Sequence, residues 1–165
     1  MQSLLPFLIF AFVASITPGP TNILVLGHGA RFGLRATLPL VLGASLAAAL
    51  IVLLVGLGLG EALQRYPRVQ QAMSLLGALW LSWLAWQLLR SAAQSLEAAS
   101  ATQRELGPLG AALRQLVNPK VWMMAVAVVS VFAAGSADKA LRVAQLSFVF
   151  RLMTLPCMSV WALLG

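Results

Sequence analysis

Apolar residues run almost unbroken from Leu4 to Ile16 and stop at Thr17-Pro18-Gly19-Pro20. A second apolar piece follows, from Asn22 to Leu26. The pattern predicts one broken helix over Leu4–Gly27, then a basic turn with His28, Arg31 and Arg35. Ala36 to Gly60 carries no charge over 25 residues. A spanning helix needs about 20, so this is a second apolar helix, with Pro39 near its start. Glu61, Arg65, Tyr66, Pro67 and Arg68 form a connection, and Val69–Leu89 is a third segment of spanning length. Residues 90–110 are the one long polar stretch. A short amphipathic piece, Leu109–Val117, then leads into Asn118-Pro119-Lys120. Val121–Ala134 continues as a fourth apolar segment, and Val143–Gly165 is a fifth after a turn with Asp138, Lys139 and Arg142.

The two proline breaks organise this pattern. Proline in a helix lacks the backbone N–H and clashes with the turn before it. In lipid the carbonyls freed by a break have no water to bond, so open backbone survives only where protein buries it or a cavity wets it. A broken apolar helix therefore marks a binding site or pathway. Pro18 and Pro119 stand about a hundred residues apart. Each is followed by a basic connection and a long apolar segment.

That recurrence predicts an all-α, polytopic membrane helix bundle of two three-helix repeats, each with a broken first helix. Three is odd, so the second repeat enters the membrane inverted. The chain reads as a single transmembrane domain over residues 1–165. Repeat one covers about 1–90, a polar loop about 91–108, and an incomplete repeat two about 109–165. The repeat calls for a helix after the fifth segment, and the last helix of the second repeat is missing from this sequence.

Composition agrees with a membrane protein. Apolar residues make up 61%, charged residues 9%, and the mean hydropathy is +0.92. Soluble domains are roughly 45–50% apolar and about 25% charged. The net charge of +7 sits mostly in short gaps between apolar runs, which suits lipid headgroups and topology rather than nucleic acid. The single cysteine, Cys157, forms no internal disulfide, and no Cys/His cluster has metal-ligand spacing. No cofactor is implied. His28 reads as an interfacial polar residue. Trp80, Trp83 and Trp86 read as a lipid-facing or packing stripe. No Ser/His, Asp/Asp or His-cluster arrangement lies inside the spans, so nothing points to an enzyme.

Thr17-Pro18-Gly19-Pro20, the glycines Gly29, Gly33 and Gly43 beyond it, and Asn118-Pro119-Lys120 opening the second half resemble the LysE/RhtB family of bacterial amino-acid exporters. The resemblance runs through the whole chain in order. It implies a multi-pass protein of the bacterial cytoplasmic (inner) membrane that exports an amino acid or a close derivative, driven by protons. The partners implied are the amino acid, protons and the bilayer; a homo-oligomer is compatible with it. The chain departs from the family pattern in two places. The sixth apolar segment is absent, and Arg151 stands inside the fifth, where an arginine costs about 2.5–3.5 kcal/mol on insertion scales.

On that reading each break has a role. The helix restarting at Pro20 offers free N–H groups and a positive dipole end to a substrate carboxylate. Thr17 and Asn22 offer neutral hydrogen bonds. Carbonyls just before Pro18 are available to the substrate ammonium. Asn118, Pro119 and Lys120 repeat the arrangement from the other side, with Lys120 as a cation for a carboxylate. The candidate substrate and translocation residues are thus Thr17, Pro18, Gly19, Pro20, Asn22, Asn118, Pro119 and Lys120. All four acids, Glu61, Glu97, Glu105 and Asp138, fall in connections. A dibasic substrate would favour an acid within the membrane, so a neutral amino acid is favoured, such as threonine, homoserine or a branched-chain type. The alternative is a truncated, non-transporting remnant or membrane scaffold of the same family.

Overall fold

Among the residues that the computed structural model describes (4–59, 75, 86, 107–133 and 136–165), every regular element is helical. Helix α1 is Leu4–Ile16 and α2 is Pro20–Leu54, which runs into a π-helical turn at Val55–Leu59. After residue 107 come α3, Pro108–Leu116, α4, Pro119–Phe132, and α5, Lys139–Leu164. The connection from Glu61 to Arg68, the Val69–Leu89 segment and the polar stretch to Leu106 lie outside the described residues, except for Leu75 and Trp86.

Two of these elements are long and apolar enough to cross a membrane, Pro20–Gly58 and Lys139–Leu164. Helices α3 and α4 make a third only together, and they bend by 68° at their junction. Helix α1, at 13 residues, is about 20 Å long at about 1.5 Å per residue. It falls short of a hydrocarbon core of about 30 Å.

The expected basic turn between the first two segments is replaced by a kink. Helix α2 continues through His28, Arg31 and Arg35, and its one non-helical residue is Gly33, with φ 78° and ψ 169°. That positive φ is open to glycine and costly for a residue with a Cβ. The part beyond it, 34–54, matches the membrane at roughly 30 Å. Since the helix does not stop at Gly27, His28 is carried inward. It is buried rather than interfacial, with Nδ1 2.9 Å from Thr37 Oγ1, and the Thr37 hydroxyl donates to Gly33 O at 2.8 Å. The histidine thus clasps the two sides of the kink.

Helix α2 is the axis of the bundle and packs most extensively on α5 and α3. Lipid offers no hydrophobic drive between helices, so association rests on close approach of backbones at small residues. Gly29 lies against the Ala162 backbone, and Gly43 against that of Pro108. A Cβ at either would collide with main chain. Two apolar cores result. One joins Phe7 and Ala11 of α1 to Ile51, Val121, Val128, Leu146 and Phe150. The other joins Leu24, Leu40, Val41, Ala111, Met158 and Ala162.

Candidate functional site

Between these cores lies a band of buried polar side chains. Ser15, Thr21, Asn22, Gln115, Asn118 and Thr154 are all buried. They come from α1, α2, α3, the α3–α4 junction and α5. The chain's two proline breaks meet here.

The first break ends α1 and strands its last carbonyls. Each of the three nearest the break takes a side-chain donor. Asn22 Nδ2 donates to Ser15 O at 2.9 Å and to Thr17 O at 3.3 Å. Trp161 Nε1 reaches from α5 to Ile16 O at 3.1 Å. Lys120 Nζ donates to Thr17 O at 2.7 Å. The Thr17 hydroxyl turns back to Val13 O at 2.5 Å. The expectation that carbonyls before Pro18 stand open is therefore corrected. At membrane depth an unbonded carbonyl costs several kcal/mol, and the fold covers them itself. On the other side of the break, α2 begins at Pro20 with Gly19 as its N-cap residue. No side chain caps that N-terminus among the described residues.

The second break closes on itself. Asn118 Oδ1 accepts from Lys120 N at 3.2 Å and so caps α4. Its Nδ2 donates to Thr21 Oγ1 and to Gln115 Oε1, each at 3.1 Å. Thr21 Oγ1 donates to Gln115 Oε1 at 2.9 Å, and Gln115 Nε2 donates to Ala44 O at 3.3 Å. Three helices are thereby tied through one amide cluster. Pro119 sits in the first turn of α4, where its missing N–H would have had no partner.

The space between the breaks is a cavity of about 30 Å³, lined by Ser15, Gly19, Thr21, Asn22, Asn118 and Lys120 among others. That is room for one or two waters, against about 300–1,000 Å³ for a ligand pocket. Lys120 is the only charged side chain among the described lining residues.

Of the eight candidate residues, Thr17, Gly19, Asn22, Asn118 and Lys120 converge here. Pro18, Pro20 and Pro119 shape the two breaks. Sequence reading missed Gln115, Ser15, Thr154 and Trp161. Ser15 is the one polar side chain in α1, and Thr154 lies among apolar neighbours in α5. Their hydroxyls are 3.1 Å apart, and Thr154 also donates to Phe150 O at 2.8 Å. A lone polar residue in an apolar run was the available signal for both. Arg151 stands one turn from this pair, and its Nε is buried with no hydrogen-bond partner among the described residues.

The match to the model of the LysE type translocator covers residues 12–165. The chain belongs to the LysE type translocator family. Among the translocator's relatives is a cysteine/O-acetylserine efflux protein of Salmonella choleraesuis (strain SC-B67). It is 28% identical over 160 residues, which is 96% of this chain and 80% of that protein. The protein of the same name from Klebsiella pneumoniae is 31% identical over 85 residues, 52% of this chain and 43% of its own. A membrane protein of Vibrio cholerae of uncharacterised function is 29% identical over 138 residues, 81% of this chain and 66% of its own. No solved structure matches the translocator.

Proposed function

We propose that this translocator exports a small neutral amino acid of the cysteine or O-acetylserine kind across the bacterial inner membrane, driven by the proton gradient. The chain acts as a single transmembrane domain whose halves are inverted repeats, each opened at its proline break. The observation that carries the reading is the start of α2 at Gly19, which no side chain caps among the described residues, beside a small cavity between the two breaks. A helix N-terminus presents N–H groups and a partial positive charge to a carboxylate. Thr21 and Asn22, in the first turn of α2, are among the residues lining the cavity, which supports the reading.

Thr17, Pro18, Gly19, Pro20 and Asn22 form one wall of the proposed site. Asn118, Pro119 and Lys120 form the other. With no acid among the described lining residues, a second cationic group on the substrate meets no counter-charge from them. That agrees with the neutral compounds named for the Salmonella relative. At about 30 Å³ the cavity admits no amino acid, so binding requires the two breaks to part.

The test is export itself. Cells lacking their own exporters are loaded with dipeptides, the chain is expressed, and amino acids appearing outside are identified. Cysteine or O-acetylserine should accumulate outside, and an uncoupler should abolish it. Well-inserted protein that releases no amino acid would sink the reading in favour of a non-transporting membrane protein.

A further inference from the structure

Gly19 presents a small puzzle. Its φ of −159° and ψ of 175° are extended values that any residue adopts, so conformation does not call for glycine. Space does. A β-carbon at Gly19 would stand 3.0 Å from Lys120 Cδ and 3.1 Å from its Nζ. The lysine stem lies in the volume a side chain would fill. It delivers the ammonium to Thr17 O at 2.7 Å, at the negative end of α1's dipole.

That acceptor is what an amino-acid ammonium would seek. Lysine's side chain ends in a primary ammonium on a flexible stem. An amino acid whose carboxylate sat on the start of α2 would bring the same kind of donor to the same few ångströms of backbone. Thr17 O already accepts from Lys120 Nζ and from Asn22 Nδ2, which fills both lone pairs of the carbonyl, so a further ammonium takes that seat only by displacing a donor. Lys120 is half-buried, so a displaced ammonium has an outward path.

We infer that Lys120 is a tethered occupant of the substrate's ammonium seat at Thr17 O, and that Gly19 is bare so that it can lie there. The inference rests on the export reading above. The empty carrier is held shut by its own cation. A substrate opens it only when carboxylate contacts at α2 offset the loss of the Lys120 bond. A simple amine lacks those contacts and does not displace the lysine. Lys120 is then a specificity-determining residue: it demands both ends of the zwitterion.

The test uses the full chain in liposomes, following exchange of labelled O-acetylserine with ethylamine as competitor. Lys120→Met should lower the half-saturating concentration about tenfold, since one charge-assisted hydrogen bond no longer has to be displaced. Ethylamine should inhibit Lys120→Met and leave wild type untouched, a change that a purely structural lysine would not produce. Gly19→Ala, which fits the extended backbone and crowds the lysine stem, should shift both readings the same way. Adding it to Lys120→Met should change nothing further. Weaker substrate binding in Lys120→Met, with wild type active, would overturn the inference and make Lys120 a carboxylate partner. So would equal insensitivity of all variants to ethylamine. Wild type that exchanges no amino acid would remove the export reading and this inference together.

Discussion

The two proline breaks look alike in sequence and differ in how they resolve the same backbone deficit. The second break is local. Asn118 caps α4 and also bonds Gln115, three residues before it. Trp122 Nε1 covers Leu116 O from six residues along at 2.8 Å. Cut out of the molecule, that break would keep most of its bonds. The first break is covered in good part from a distance. Asn22 serves Ser15 O and Thr17 O from nearby. Ile16 O, however, depends on Trp161 across 145 positions, and Thr17 O takes its shortest bond from Lys120 across 103. No side chain caps the helix start at this break among the described residues. A break closed by its neighbours is a structural corner. One closed by remote side chains is released when those side chains move, and that property suits it to ligand exchange.

The heaviest blow to this arrangement is Asn118→Leu. It removes the α4 cap, worth about 1 kcal/mol. It also removes the Asn118 bonds to Thr21 and Gln115, which keep their bond to each other, at about 0.5–1.5 kcal/mol each. The expected loss is about 2–4 kcal/mol, with export abolished. Thermal unfolding of the detergent-purified protein checks the first, and the efflux assay the second. A melting point within a degree or two of wild type would show that the second break does not brace the first.

The prolines separate the breaks more sharply. Pro119 fills the first turn of α4, where its missing N–H is an orphan in any case, so Pro119→Ala should cost under about 1 kcal/mol and leave most export intact. Pro18 lies within the three-residue gap between α1 and α2. Pro18→Ala with Pro20→Ala restores two N–H donors and lets α1 run on into α2, which removes the open helix start. Export should fall at least tenfold while the protein inserts and melts normally, as helix propensity gains about 3 kcal/mol per proline removed from an interior. Equal loss of export from Pro119→Ala alone would make the breaks equivalent and erase the distinction.

Much of this was legible in the residue order. Membrane character, all-helical class and both break positions follow from apolar run lengths and from proline chemistry that acts locally. The LysE type family rests on the residues around those breaks. The turn expected over His28–Arg35 was misread for a physical reason: charge density implied an aqueous turn, while Gly33 alone supplies the bend and the flanking arginines lie exposed on helix. The asymmetry between the breaks was out of reach. Nothing near Thr17 announces that Lys120 and Trp161 will cover its carbonyls, because those contacts exist only once α4 and α5 have docked. Gln115 escaped for the same reason: a lone amide in a nine-residue amphipathic helix reads as surface until three helices close on it.

The smallest expected effects come from the two tryptophans, and they pose the comparison in its cleanest form. Each indole N–H covers one carbonyl beside a break, Trp122 on Leu116 O and Trp161 on Ile16 O. Tryptophan to phenylalanine removes that donor and keeps most of the apolar body. At Trp122 the bond joins two halves of one bent element, and its loss should cost a few tenths of a kcal/mol, at the low end for a hydrogen bond. At Trp161 the bond ties α1 to α5. Its loss frees Ile16 O and loosens the helix end next to Thr17, so the expected cost is about 1 kcal/mol, with a measurable rise in the half-saturating concentration for export. The ratio matters more than either value. Melting points that fall equally, with unchanged half-saturation in both, would mean that remote and local covers are interchangeable and that distance along the chain says nothing about which break opens.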